Sequence, residues 1–189
     1  MKDKIKLIIA MPCTDMMVAR TGHSIASAII GNPCIVDFLM WQGCDVAGAR
    51  TWLVNEAIKK GGTHILFVDS DMLFHSDTIK QLLSHDKDIV GVQCHKRKFP
   101  LEKVAVPLTE FSESKTKLFK CALLGTGILL IKLSVFEKLK LHWFNFGRDK
   151  KGELVVGEDA WFCYTAIDSG FDLWCDPTIK VGHVGLYTY

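Results

Sequence analysis

Asp69-Ser70-Asp71 sets two carboxylates one residue apart, directly after an apolar run from Ile65 to Val68. Carboxylates this close repel unless positive charge sits between or near them. A divalent cation is an economical answer, because hard cations take oxygen ligands. A buried strand that stops in paired acids also carries their charge to the rim of a sheet, where ligands of open α/β folds bind. A lone Asp-x-Asp is more often an acidic turn, so its weight rests on partners elsewhere. Two stand downstream: Gly157-Glu158-Asp159, opening a predicted helix, and Gly182-His183-Val184-Gly185. A basic run, His95-Lys96-Arg97-Lys98, follows another predicted strand. It reads as a solvated face or as a site for diphosphate or acceptor.

These residues need elements to position them. Short apolar runs at 7–11, 35–41, 64–68, 88–92, 118–124 and 128–132 read as strands. So does a stretch through Leu173 and Trp174. Val46, Ala49, Arg50, Leu53, Val54, Ala57 and Ile58 recur at helical spacing and end at Lys59-Lys60-Gly61-Gly62. Shorter helices are expected at 23–30, from a Ser76-Asp77 cap over Ile79, Leu82 and Leu83, at 134–139 and at 158–169. Strand–helix alternation predicts an α/β layer with a mixed, mainly parallel central sheet flanked by helices. After Pro100 the pattern changes. Residues 101–117 read as a loop or irregular edge, and 147–152 as a charged loop. One domain, 1–189, is expected in two functional halves, 1–99 and 100–189.

A chain of 189 residues with 49% hydrophobic content supports one real core. No apolar run reaches the roughly 20 residues that span a bilayer. The charged start, Met1 to Lys6, lacks the features of a signal peptide. Seven scattered cysteines without a Cys-x-x-Cys pair favour a reducing compartment over a disulfide framework. The expectation is a soluble, cytoplasmic protein. A net charge of +2 neither demands nor excludes a nucleic-acid partner.

The ordered set Asp69-Ser70-Asp71, Gly157-Glu158-Asp159-Ala160-Trp161-Phe162 and Gly182-His183 resembles glycosyltransferases of the GT-A fold, the Rossmann-like nucleotide-diphospho-sugar transferase fold. It is most similar to small bacterial and viral members like glycosyltransferase family 2. Ala49-Arg50, Ile89-Val90-Gly91 and Gly125-Thr126-Gly127 fall in the same family order. The resemblance implies a nucleotide-sugar donor, with a UDP sugar expected, and Mn2+ or Mg2+. It implies that Asp69 meets the donor ribose or a metal-bound water, that Asp71 binds the cation, and that His183 completes the shell. Asp159 is implied as the general base of an inverting transfer, with Glu158 orienting the acceptor. Retaining members carry similar acids, which leaves the stereochemistry open. Pro12, Thr14, Asp37, Arg50 and Ser70 are implied on the donor side. Gly127 would let backbone approach the sugar, though a tight turn explains it nearly as well. Trp143, Phe144 and Trp161 suit core packing first and sugar stacking second.

The resemblance leaves the acceptor open among a saccharide, a lipid carrier, a protein and a modified nucleic-acid base. Its recognition is expected from residues 101–117, residues 147–152, the C-terminal tail or a partner. Oligomeric state is not legible. A haloacid-dehalogenase-type phosphatase would also use Asp69 and Asp71. It expects Thr or Val where Leu73 stands, and its motif belongs on the first strand. A non-catalytic sugar-nucleotide module would not need the full set of acids and His183. A nucleotidyltransferase wants a glycine-rich basic loop, and residues 14–22 supply only Arg20 and Gly22.

Overall fold

The computed structural model describes residues 4–110, 113–140 and 142–185. One eight-stranded sheet organises the chain. Its strands are β1 (Leu7–Cys13), β2 (Ile35–Gln42), β3 (His64–Val68), β5 (Ile89–Val92), β6 (Val106–Pro107), β7 (Phe119–Leu123), β8 (Ile128–Lys132) and β11 (Leu173–Asp176), in the order β2-β1-β3-β8-β5-β11-β7-β6. Strands from both halves of the chain interleave, with β8 inserted between β3 and β5.

The sheet is mixed. β1 pairs in parallel with β2 and β3, and β5 with β11. β8 and β7 run the other way and make the four antiparallel pairings. Six strands therefore point in one direction, as expected, but the two reversed strands sit inside the sheet. Antiparallel pairings outnumber parallel ones for that reason. The shared direction brings the carboxyl ends of β1, β2, β3 and β5 to one rim.

Period-two alternation sends each central strand's side chains to two cores. Ile8, Ala10, Ile65, Phe67, Leu129 and Ile131 face one side. That side is covered by α2 (Val46–Lys59), α4 (Ser134–Lys138) and α5 (Glu158–Asp168) through Leu53, Phe136 and Phe162. Leu7, Ile9, Leu66, Val68, Ile128 and Leu130 face the other side. There α1 (Ala19–Gly31) and α3 (Asp77–Ser84) close the layer through Ile25, Ala28, Ile79 and Leu82. Since α1 and α2 lie on opposite faces, a crevice forms at the rim beside β1.

Two small ribbons stand outside this sheet. β4 (Met72–Phe74) pairs antiparallel with β12 (Val181–His183). β9 (Gly147–Arg148) pairs with β10 (Leu154–Val156). The charged loop expected at 147–152 is thus partly strand, Gly147–Arg148, and the rest belongs to the turn of a hairpin. Asp149 accepts the Lys151 and Glu153 N–H groups, and Gly152 supplies the left-handed turn at φ 83°. Ser76 does not cap α3 as expected. It already has helical dihedrals and its hydroxyl makes no capping bond. Among the described residues of the 101–117 segment, Val106–Pro107 form the edge strand β6 and Lys103 makes an isolated bridge to His95. All seven cysteines are free thiols, and five are buried. Among the described residues, no helix is long and apolar enough to cross a membrane.

Candidate active site

The Asp69-Ser70-Asp71 turn is fastened on every side. Asp69 N–H donates to the Gly127 carbonyl at 3.0 Å. The Asp69, Ser70 and Asp71 carbonyls accept the N–H groups of Met72, Val18 and Val184 at 3.2, 2.9 and 2.9 Å. The turn therefore joins β3 to the loop after β1, to the loop before β8 and to the end of β12. The register of the outer ribbon sets His183 opposite Met72, next to Asp71.

The turn floors a cleft of about 360 Å³ at the sheet rim. Of the residues singled out in the sequence, Pro12, Thr14, Arg50, Asp69, Ser70, Asp71, Glu158 and His183 line it. Gly43, Cys44 and Arg97 join them.

On one wall, Arg50 projects from α2 and is 2% exposed. Its Nη2 donates to Asp69 Oδ1 at 2.8 Å, and its Nε lies 3.6 Å from Glu158 Oε1. The second distance is too long for a hydrogen bond. Nε and Nη1 are buried donors without a hydrogen-bond partner. Leaving such donors unmet costs about 1–3 kcal/mol each, and the Glu158 carboxylate, within ion-pair range of Nε, offsets part of that cost.

On the other wall, Asp71 Oδ2 accepts from Arg97 Nη1 at 2.8 Å, and Asp71 Oδ1 lies 3.4 Å from His183 Nε2. His183 Nδ1 lies 2.9 Å from the His95 carbonyl. A carbonyl only accepts, so Nδ1 carries a proton and Nε2 is the nitrogen offered to Asp71. Burial acts to raise the Asp71 carboxyl. His183 and then Arg97 outweigh it and leave the group below the ordinary Asp range. The Asp71 carboxylate holds His183 above its usual value, against the opposing effect of burial.

This wall fits a divalent cation. A carboxylate and an imidazole whose far nitrogen is pinned to a carbonyl are ordinary ligands for one. Asp69 is turned to Arg50 instead. Among the described residues, no three His, Cys, Asp or Glu side chains form a complete cage.

Asp159 does not line the cleft. Its Oδ1 accepts the Ala160 N–H at 2.7 Å, at the first turn of α5. Its neighbour Glu158 does line the cleft. Burial and then Asp69, Asp159 and Asp71 push the buried Cys94 thiol up to about 11. Gly127 supports the floor from behind. A Cβ there would lie 3.3 Å from Met72 Sδ and 3.5 Å from Asp69 Oδ2.

Asp37 is not brought to the cleft. It pairs with Lys60 at 2.8 Å on the edge strand, roughly 16 Å back from the rim end of β2 at about 3.3 Å per residue. The three aromatics are likewise elsewhere. Phe144 is buried and stacks on Phe162 at 5.1 Å, Trp143 packs on Phe136 at 5.1 Å, and Trp161 donates to the His142 carbonyl. The basic run was visible in the sequence, but nothing there distinguished Arg97, which turns inward, from Lys96 and Lys98.

No family model matches the sequence, and no curated protein matches it. Solved structures do. A197 from STIV matches with a TM-score of 0.68 at 16% identity, over 95% of this chain and 86% of that one. GalNAc-T7 with UDP, GalNAc and Mn2+ matches with a TM-score of 0.65 at 13% identity, over 97% of this chain and 44% of that one. The fold is the GT-A glycosyltransferase fold. This chain spans less than half of GalNAc-T7.

Proposed function

We propose that this chain is a cation-dependent glycosyltransferase that takes a UDP sugar as donor. The observation that carries this reading is the rim cleft that gathers Arg50, Asp69, Asp71, Arg97, Glu158 and His183. Two arginines beside paired acids suit a nucleotide diphosphate and its counter-ion. Asp71 and His183 would hold Mn2+ or Mg2+, and such an ion would supply positive charge against the departing diphosphate. Such ions ordinarily take few protein ligands and complete their shell with substrate. GalNAc-T7, solved with UDP and Mn2+, supports the same donor and ion here.

In the inverting transfer, a bond forms between the acceptor oxygen and the anomeric carbon. The bond from that carbon to the diphosphate oxygen breaks, and the nucleoside diphosphate leaves with the electron pair. As the proposed base, Asp159 takes the acceptor hydroxyl proton from its place next to the cleft-lining Glu158 at the start of α5. Glu158, beside Arg50, keeps the guanidinium aimed along the cleft. The phosphatase alternative needs Asp69 free to attack phosphorus, whereas its Oδ1 is held by a buried arginine.

Asp159→Asn tests the reading against a non-catalytic module. The expected result is a loss of transfer of about 10²–10⁴-fold with calorimetric UDP affinity in Mn2+ unchanged. Equal loss of binding and turnover makes Asp159 a donor-side or structural residue. No UDP binding by the parent chain defeats the reading outright.

A further inference from the structure

A second cavity, of about 610 Å³, opens on the outer side of α2. It meets the cleft at the start of that helix, where Val46 and Arg50 line the cleft and Asp45 and Ala47 line the second cavity. Gly48, Thr51, Trp52 and Asn55 recur at i, i+3, i+4 and i+7, so they share one helix face, opposite the core face of Leu53, Val54 and Ala57. Residues 142–146 form the other wall. Phe144 anchors it in the core, stacked on Phe162, and Trp161 Nε1 donates to the His142 carbonyl at 2.9 Å.

The lining combines two kinds of group. Trp41 and Trp52 lie with ring centroids 4.9 Å apart and planes 52° apart. This tilt leaves indole surface to the cavity that both line, and Trp52 is 38% exposed. Short polar side chains surround the indoles. Asp45 Oδ1 accepts the Gly48 N–H, Asn55 Nδ2 donates to the Thr51 carbonyl, and Asn145 Oδ1 accepts the Phe146 N–H. One carboxylate oxygen, one amide oxygen and one amide nitrogen are left over for a ligand. No lysine or arginine is among the described residues that line the cavity.

These features select a ligand class. A polyanion finds no counter-charge here. A wholly apolar ligand would leave the polar groups unmet. A neutral saccharide meets both requirements. The C–H face of a pyranose lies on an indole, while its hydroxyls donate to Asp45 and Asn55 and accept from Asn145.

We propose that this cavity binds a neutral saccharide, with Trp41 and Trp52 as its platform and Asp45, Asn55 and Asn145 reading its hydroxyls. Its junction with the cleft makes it the subsite of a saccharide acceptor, a role that rests on the transferase reading. Saccharide binding itself does not rest on that reading.

The test is two-dimensional NMR of the full chain with trisaccharides of glucose, galactose, mannose and N-acetylglucosamine, each with and without UDP and Mn2+. At least one should shift the indole N–H signals of Trp41 and Trp52, assigned from Trp41→Phe and Trp52→Phe, and leave that of Trp174 unmoved. Trp52→Ala should weaken this binding by about tenfold or more. Asn55→Ala, at an exposed helix position, should weaken it by about three- to tenfold. Both variants should keep the parent's UDP affinity in Mn2+. No shift at Trp41 and Trp52 with any of the saccharides overturns the proposal, and so does equal binding by both variants. Shifts of the same signals by UDP alone overturn it in favour of a nucleoside subsite. Self-association that Trp52→Ala abolishes overturns it in favour of a second copy as occupant. UDP binding without saccharide binding strikes this inference and spares the transferase reading. Saccharide binding without UDP binding strikes that reading and upholds the saccharide site.

Discussion

The two walls of the cleft each set an arginine against one acid of the same turn, yet the pairs are built differently. Arg50 is sealed in α2 over the Phe67 ring, 5.3 Å from its centroid, and touches Asp69 from within the core. Arg97 stands on an excursion from the sheet, 57% exposed, and touches Asp71 from solvent. A buried guanidinium cannot leave without stranding charge, so the Asp69 side is permanent. An exposed ion pair is worth little and exchanges readily, so Asp71 is the acid whose partner can be replaced. Under the proposed function, the fixed wall would orient the donor and the exchangeable wall would receive the cation.

Breaking the fixed wall should have the largest effect. Arg50→Met leaves Asp69 and Glu158 facing each other without a cation, and should lower unfolding stability by about 2–4 kcal/mol. It should also weaken UDP binding by about tenfold or more, as calorimetry would show. A stable variant that keeps UDP affinity ends the claim that this wall is fixed.

His183→Ala comes next. It should raise the Mn2+ concentration needed for UDP binding by about 10–100-fold, read from a metal titration. The same titration in the parent chain should depend on pH. His183 sits above its usual value through Asp71, so its ion pair is intact below about pH 6.5 and is lost as pH rises through the raised value. The depressed Asp71 carboxyl keeps its contribution above about pH 3.9 and loses it as pH falls through its own lower value. A metal needs the neutral imidazole, so Mn2+ affinity should climb with pH beyond the ordinary histidine range. A flat profile argues that His183 is no ligand.

Arg97→Ala sharpens the other side of the comparison. Freed of its competitor, Asp71 should bind Mn2+ in the absence of nucleotide more tightly, by less than about tenfold, with the unfolding midpoint barely moved. Weaker Mn2+ binding makes Arg97 a support of the site instead of a rival to the ion. The smallest effect belongs to Asp37→Asn. It should leave UDP affinity and the unfolding midpoint unchanged, because its Lys60 pair lies on the surface away from both walls. Lost UDP affinity would return Asp37 to the donor site.

How much of this was legible in the sequence follows from where each signal comes. β3 and β8 match their predicted bounds, and β1 and β2 nearly so, because each is an apolar run between breakers. α2 was legible because its apolar positions recur over several turns. β4 and β12 were not, since three-residue strands outside the main sheet have no room for periodicity. Strand direction was only half legible. Ile128 to Lys132 reads the same forwards and backwards as an apolar run, and only its place between β3 and β5 makes it antiparallel. For the cleft, residues adjacent to strand ends came out together, because strand ends share a rim. Asp37 did not, since it sits early in its strand. Arg97 was hidden among like charges, because sequence does not tell which of four neighbouring cationic or imidazole groups turns inward.

His183 reaches Asp71 on a three-residue strand that pairs with β4 and with none of the eight strands of the main sheet. Local fraying of that ribbon would uncouple the imidazole while every long strand stays in register. Under the proposed function, the chain would lose an ion and regain it without passing through an unfolded state, so inactivation and denaturation would separate when it is warmed or stripped of metal.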